Sequence, residues 1–197
     1  MRKSTGVSFE KEVFTIVREL VKKNNFLIGE PNVKVLKKPK YYSKDREALI
    51  ECDISVEKYL GNPNKIKDLR PSIIVVIECK DYSRAIPVDD VEEFHAKLQQ
   101  IGADNTKGIM ITRNGYFQKS ALAYGRSKGI ALARILPDEQ VHFMVYRGYG
   151  PEESNFSALT KADYESSGRS FFSLEDVNSL PDLLCKILNF PQYSIFL

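Results

Sequence analysis

Asp53, Glu78 and Lys80 are the residues whose types and spacing suggest shared chemistry. Glu78 and Lys80 stand two apart, just past the apolar run Ile73-Ile74-Val75-Val76-Ile77, so as strand residues they share a face. Asp53 lies in an alternating stretch, residues 49–56, with Glu51 two residues before it. The alternation predicts one strand, with Ile50, Cys52, Ile54 and Val56 on one face and Glu51, Asp53 and Ser55 on the other. If the two strands pair as a hairpin, Asp53, Glu78 and Lys80 converge at one place. Two carboxylates there make a hard, oxygen-rich site suited to Mg²⁺ or Mn²⁺. The metal would lower the pKa of a bound water and polarise a phosphoryl oxygen. A lysine beside it can hold the attacking water and offset charge developing on a phosphate. The plain alternatives are a surface ion pair for Glu78 and Lys80, and an ordinary half-exposed strand acid for Asp53.

These residues need a scaffold, and the periodicity supplies one. Phe9, Val13, Ile16, Val17, Leu20 and Val21 repeat at helical spacing, which predicts a helix over residues 7–23. Residues 26–36 read as strand material with a turn, 37–47 as a polar stretch and 61–71 as a loop. The run 73–77 is apolar enough for a sheet centre covered on both faces. A helix over 88–101 follows, with Val91, Phe94, Leu98 and Ile101 as its buried stripe. Then come a strand at 108–112, a helix at 117–127 and a strand at 130–136. Residues 141–146 suit another strand, 148–168 a loop and 180–188 a short helix. The order predicts an α/β fold, a central mixed sheet flanked by helices on both faces, with a C-terminal extension.

Composition agrees with a folded domain. Of 197 residues, 43% are apolar and 28% charged, which excludes collagen-like, coiled-coil and disordered classes. The longest apolar run is far below the roughly 18 residues of a membrane span. No apolar signal region follows the basic start, so the expected location is the cytoplasm. Three cysteines, Cys52, Cys79 and Cys185, fit a reducing compartment. His95 and His142 have no partner at ligand spacing, which leaves them structural. Charge is divided along the chain. Residues 135–197 carry 4 Lys/Arg against 9 Asp/Glu, a net of −5, which leaves 25 against 17, a net of +8, in residues 1–134. The basic part suggests a nucleic-acid surface, with solvated surface charge as the alternative. Lys34, Lys37, Lys38, Lys40, Lys44 and Arg46 crowd one segment with Tyr41 and Tyr42. Lys37, Lys38 and Lys40 suit phosphate contacts, Tyr41 stacking on an exposed base, and Arg84 a backbone clamp beyond Lys80. Arg113 could extend the same surface.

The motifs in order resemble the Asp…(Asp/Glu)-x-Lys nuclease superfamily, and within it the Mrr-like restriction endonucleases. The matching segments are Gly6-Val7-Ser8-Phe9-Glu10, Glu51-Cys52-Asp53-Ile54 and Val76-Ile77-Glu78-Cys79-Lys80-Asp81-Tyr82. They continue with Lys107-Gly108-Ile109-Met110-Ile111-Thr112, Ala121 and Gly129-Ile130-Ala131-Leu132. Each is weak alone, and their order carries the likeness. The resemblance implies a restriction-endonuclease-like fold over residues 1–136, with 137–197 an acidic extension of packing or dimerisation role. It implies that Asp53 and Glu78 bind the metal, that Cys79 adds its backbone carbonyl, and that Lys80 is the catalytic lysine. Glu10 matches a first-helix glutamate that helps a metal or water. Many Mrr-like proteins carry Gln where this chain has Glu78, and Ala48-Leu49-Ile50-Glu51-Cys52 replaces a glycine-rich approach to the aspartate. The expected activity is a Mg²⁺- or Mn²⁺-dependent DNA endonuclease of restriction or defence type, working as a homodimer. The rivals are a Holliday-junction resolvase and a catalytically inactive DNA-binding module of the same fold.

Overall fold

The first helix, α1 (Thr5–Lys22), turns Phe9, Val13, Val17 and Val21 onto one stripe and buries all four. Full burial of such a side chain contributes about 1.5–3 kcal/mol, enough to fix the rotation of the helix on the sheet. The computed structural model describes residues 5–22, 32–113, 115–135 and 141–145. The main sheet holds β1 (Val33–Lys37), β4 (Ile54–Lys58), β5 (Ile73–Lys80), β6 (Thr106–Thr112), β7 (Ala131–Ile135) and β8 (Val141–Val145), side by side in that order. The β5–β6 and β6–β7 pairs are parallel, and the other neighbours run antiparallel. Helix α1 covers one face. Helices α2 (Val88–Gly102) and α3 (Lys119–Lys128) cover the other. This is the expected α/β architecture, a mixed sheet between helices.

Strand β5 shows why the core has two halves. Val75 and Ile77 point to the α1 side, while Ile74 and Val76 join the cluster beneath α2 and α3. Both faces are buried, as a central strand requires. The strand outlasts its apolar run: Glu78, Cys79 and Lys80 still pair with Met110, Ile111 and Thr112. Gly108 lets α2 lie close to β6, since a Cβ there would meet Phe94 Cε1 at 2.8 Å. Gly129 ends α3 in the left-handed conformation, φ 66°, and Ile130 N–H closes the turn on Gly125 O.

The single strand expected over residues 49–56 is two strands. Its first half, β3 (Ala48–Glu51), pairs with β2 (Lys40–Ser43) in a separate two-stranded sheet. Its second half is β4. Cys52 and Asp53 form the bend between them, so Ile50 and Cys52 enter the α2 side of the core while Ile54 and Val56 enter the α1 side. The facing chain bends at the same level, at Lys38 and Pro39. Proline has no N–H to give the ladder, and Lys38 takes a left-handed φ of 51°. Lys38 N–H bonds Asp53 O at 2.8 Å and Cys52 N–H bonds Pro39 O at 3.0 Å, carrying the pairing across the bend. The polar stretch 37–47 is therefore largely strand and turn.

Smaller differences concern ends. Helix α3 starts at Lys119, because Phe117 is held in a bridge with Ile86. Strand β8 lies past residue 136, in the segment expected to be an extension, and pairs with β7. The expected strand material at 26–31, the loop at 148–168, the helix at 180–188 and Cys185 lie outside the described residues.

Candidate active site

Asp53 is held from two sides. Its Oδ2 accepts the Cys79 N–H of β5 at 2.8 Å, and its Oδ1 lies 2.6 Å from Lys38 Nζ. Lys38 Nζ also pairs with Glu10 Oε2 of α1 at 2.9 Å. The bend before β4 makes this possible, because it swings Asp53 to the rim where α1 and β5 meet. Burial works against the charge on Lys38, yet the hydrogen bonds and charges of Asp53 and Glu10 outweigh it and leave its pKa raised.

Glu78 belongs to a second group on the α2 side of β5. Its Oε1 lies 3.3 Å from Lys80 Nζ and 3.4 Å from Lys97 Nζ of α2. Its side chain is only 9% exposed, and a carboxylate so enclosed requires such partners. Burial lowers the pKa of Lys80 and of Lys97, but Glu78 leads the charges that outweigh it, so both end raised. Lys80 also has the Tyr82 ring 5.8 Å from its Nζ, and Asp90 at the start of α2 adds to its charge stabilisation. Asp90 Oδ2 is buried with no hydrogen-bond partner.

Of the four expected catalytic residues, Asp53, Glu78 and Lys80 thus lie at one end of β4 and β5 and Glu10 lies across Lys38 from Asp53, the four divided between two lysine-paired groups. Among the described residues, no group of three or more His, Cys, Asp or Glu side chains is gathered closely enough to hold an ion. The donors still suit a hard divalent cation, since the carboxylates of Asp53, Glu78 and Glu10 and the carbonyl of Cys79 offer only oxygen. Asp53 and Glu10 already share one positive charge, the Lys38 ammonium. In donor type and in already sharing a cation these residues suit a divalent ion, although they are not gathered around one point.

Arg113 positions the helix side of this site. Its guanidinium pairs with Glu12 and lies 4.6 Å from the Phe9 ring centre, while its backbone N–H donates to Lys80 O at 3.4 Å. The residues on either side of Glu10 are thereby tied to the end of β6. Lys97 and Arg113 carry no sequence signal for these roles. Lys97 flanks the stripe of α2, and Arg113 reads from its sequence position only as basic surface.

Other polar side chains near these motifs take structural places. Glu51 is exposed and pairs with Lys40 at 3.4 Å, away from Asp53. Cys52 and Cys79 enter opposite halves of the core, so they do not face each other on one side of the sheet. Burial, aided by Glu78, pushes the Cys52 thiol up to about 12. Burial and then the Asp53 charge raise Cys79 as well. Neither thiol supplies a thiolate at neutral pH. His95 Nδ1 lies 3.0 Å from Tyr124 OH, a structural contact. Gln100 Oε1 accepts the Ser43 hydroxyl at 2.9 Å and so secures the β2–β3 hairpin.

Of the residues expected on DNA, Lys37 and Arg84 are exposed, and Arg84 stacks 4.7 Å over Tyr82. Lys40 is exposed beside Glu51, and such a surface pair is worth little. Lys38 is committed to Asp53 and Glu10. Tyr41 is not a free stacking platform. Its hydroxyl donates to Glu57 Oε1 at 2.7 Å and lies 2.7 Å from Ser55 Oγ, and its ring packs on the α2-side core. Glu57 is buried in β4 and also accepts the Tyr59 hydroxyl. Tyr41→Phe should therefore cost about 2 kcal/mol by removing a donor from an enclosed carboxylate. Urea denaturation would measure this; unchanged stability would show that the hydroxyl is dispensable.

Comparison with known proteins gives one family match: the Mrr_cat model, described as restriction endonuclease, covers residues 2–135. No curated protein matches the chain. Among solved structures, the crystal structure of a protein of unknown function, AF1548, is similar at 14% identity and a TM-score of 0.44. The alignment covers 64% of this chain and 58% of that one, so the chain spans under two thirds of its length.

Proposed function

The chain belongs to the Mrr_cat restriction endonuclease family of nucleases, with a restriction-endonuclease-like α/β fold, and on that premise we propose that it cuts DNA as a divalent-metal-dependent endonuclease in restriction or defence. The observation that carries the reading is the clamp of Asp53 onto the Cys79 amide, which joins it to the strand of Glu78 and Lys80. Asp53, Glu78 and Glu10 would hold Mg²⁺ or Mn²⁺, with the Cys79 carbonyl beside them. When bound, such an ion supplies Lewis-acid polarisation of the phosphoryl oxygen and a more acidic water.

The chain's own groups do the rest. Lys80 is held charged by Glu78, so it acts as a hydrogen-bond donor to the water and phosphate oxygens, not as a proton acceptor. Lys97 shares Glu78 with it and keeps that carboxylate aimed along β5. Arg84 on Tyr82, with Lys37 and Lys40, supplies exposed cations for the backbone phosphates flanking the cut. One such site serves one strand, so double-strand cleavage calls for two copies of the chain. The domain would comprise residues 1–136, with the acidic extension 137–197 adding β8 to the edge of its sheet. Among the described residues Cys52 and Cys79 are free thiols, which suits the reducing cytoplasm. Among the described residues no helix is long and apolar enough to cross a membrane.

The direct test is plasmid cleavage with Mg²⁺, Mn²⁺ or chelator, on modified and unmodified DNA. Nicked or linear product with either metal and none with chelator is the expected result. Intact plasmid in every arm would overturn the reading, and cleavage in chelator would overturn its metal dependence.

A further inference from the structure

The Lys38 ammonium sits where a cation between two of the proposed metal carboxylates would sit, 2.6 Å from Asp53 Oδ1 and 2.9 Å from Glu10 Oε2. We propose that Lys38 is the resident cation of the site, holding Asp53 and Glu10 together until a divalent ion displaces it, and that it thereby sets how much metal the protein requires. The inference rests on the metal-dependent reading above and adds to it a residue that competes with the metal.

Three observations support it. First, Asp53 and Glu10 come from different elements, the bend before β4 and the helix α1. Two like charges aimed at one point repel, and Lys38 is the side chain that bridges them. Second, Lys38 is anchored at both ends, its backbone N–H bonding Asp53 O while its side chain bonds Asp53 Oδ1. It adopts a left-handed φ of 51°, unfavourable for a lysine, so the surroundings must hold it there. Third, each of the three carboxylates already has a lysine beside it, Lys38 for Asp53 and Glu10, and Lys80 and Lys97 for Glu78. A divalent ion held by these oxygens would bring twice the charge of the ammonium. Both cations cannot occupy the space between the same two oxygens. The Lys38 side chain is 39% exposed and borders the exposed Lys37 and Lys40, so it has solvent to swing into when the ion enters.

A competitor tethered in the site reduces the apparent metal affinity to the fraction of time it leaves the site vacant. Lys38→Met keeps most of the stem and removes the charge. It should bind Mn²⁺ roughly tenfold more tightly than wild type, as expected for a lysine resident about nine-tenths of the time. The metal-free variant should also melt below wild type, because Asp53 and Glu10 lose their counter-ion, and Mn²⁺ should raise its melting temperature by more. Lys38→Arg keeps the charge and should leave Mn²⁺ affinity near the wild-type value.

The experiment is calorimetric titration of the full chain with Mn²⁺ alone, in wild type and both variants, with melting curves beside it. Lys38→Gln replaces the methionine variant should that fail to fold. Equal or weaker Mn²⁺ binding by the uncharged variant, while wild type binds, would overturn the inference and leave the metal site standing. Equal tightening by Lys38→Arg would also overturn it, since charge would not be the cause. No Mn²⁺ binding by any of the proteins would overturn the metal reading beneath it.

Discussion

Lys80→Ala should lower DNA cleavage by roughly a hundred- to a thousandfold, the usual cost of removing one fixed donor from developing oxyanion charge. DNA binding should persist. The reason is geometric. Lys80 projects from a strand paired through Thr112, and its side chain is 14% exposed, fixed by Glu78 at 3.3 Å and by the Tyr82 ring. Water entering the space left by alanine brings no charge and no fixed direction. Glu78 retains Lys97 at 3.4 Å, so the variant keeps a partner for its enclosed carboxylate and should stay folded. Lys80→Arg keeps the charge but changes the donor geometry, and should recover only part of the activity. Plasmid cleavage rates, melting curves and a DNA-binding measurement under chelator check the expectation together. A folded alanine variant that cuts at the wild-type rate would remove Lys80 from the mechanism.

Asp53 should show the second large effect, with two separable parts. Asp53→Asn preserves the shape of the side chain but takes away its charge. Cleavage should drop by about a hundredfold or more, and Mn²⁺ affinity by roughly tenfold, since carboxylate charge and ligand count set the affinity of such sites. Asp53→Ala goes further, because it leaves the Cys79 N–H without its acceptor and Lys38 with Glu10 alone. That should add an unfolding cost of about 1–3 kcal/mol. Calorimetry with Mn²⁺ reads the first part, and denaturant melts of the two variants read the second. Normal metal affinity in Asp53→Asn would place the ion elsewhere. Equal stability of the two variants would show that the clamp on Cys79 contributes nothing.

The sequence by itself determined the layers and the chemical inventory. Phe9, Val13, Val17 and Val21, residues 74–77, and Val91, Phe94 and Leu98 are buried as their periodicity names them, while Ile16, Ile73 and Ile101 of the same patterns are partly buried. Burial of apolar surface is local enough in pattern to be read from spacing. The pairing of Glu78 with Lys80 was legible for the same reason, since strand residues two apart share a face.

Only the tertiary structure decided where Asp53 goes and which lysine meets which acid. Alternation over 49–56 cannot reveal a bend, because β3 and β4 each keep the period of two and change faces only at Cys52 and Asp53. The bend depends on the facing chain at Lys38 and Pro39, fifteen residues away in sequence for the Lys38–Asp53 contact. Lysines look alike in a sequence. Lys37, Lys38 and Lys40 lie in one basic segment and all three are exposed, yet Lys38 pairs with Asp53 and Glu10 while Lys40 pairs with Glu51. Likewise Tyr41 turns inward to Ser55 and Glu57 while Tyr42 beside it remains exposed. A side chain of four or more bonds finds its partner by reach and desolvation. Those depend on which elements the fold brings within a few ångströms, and no local pattern records that.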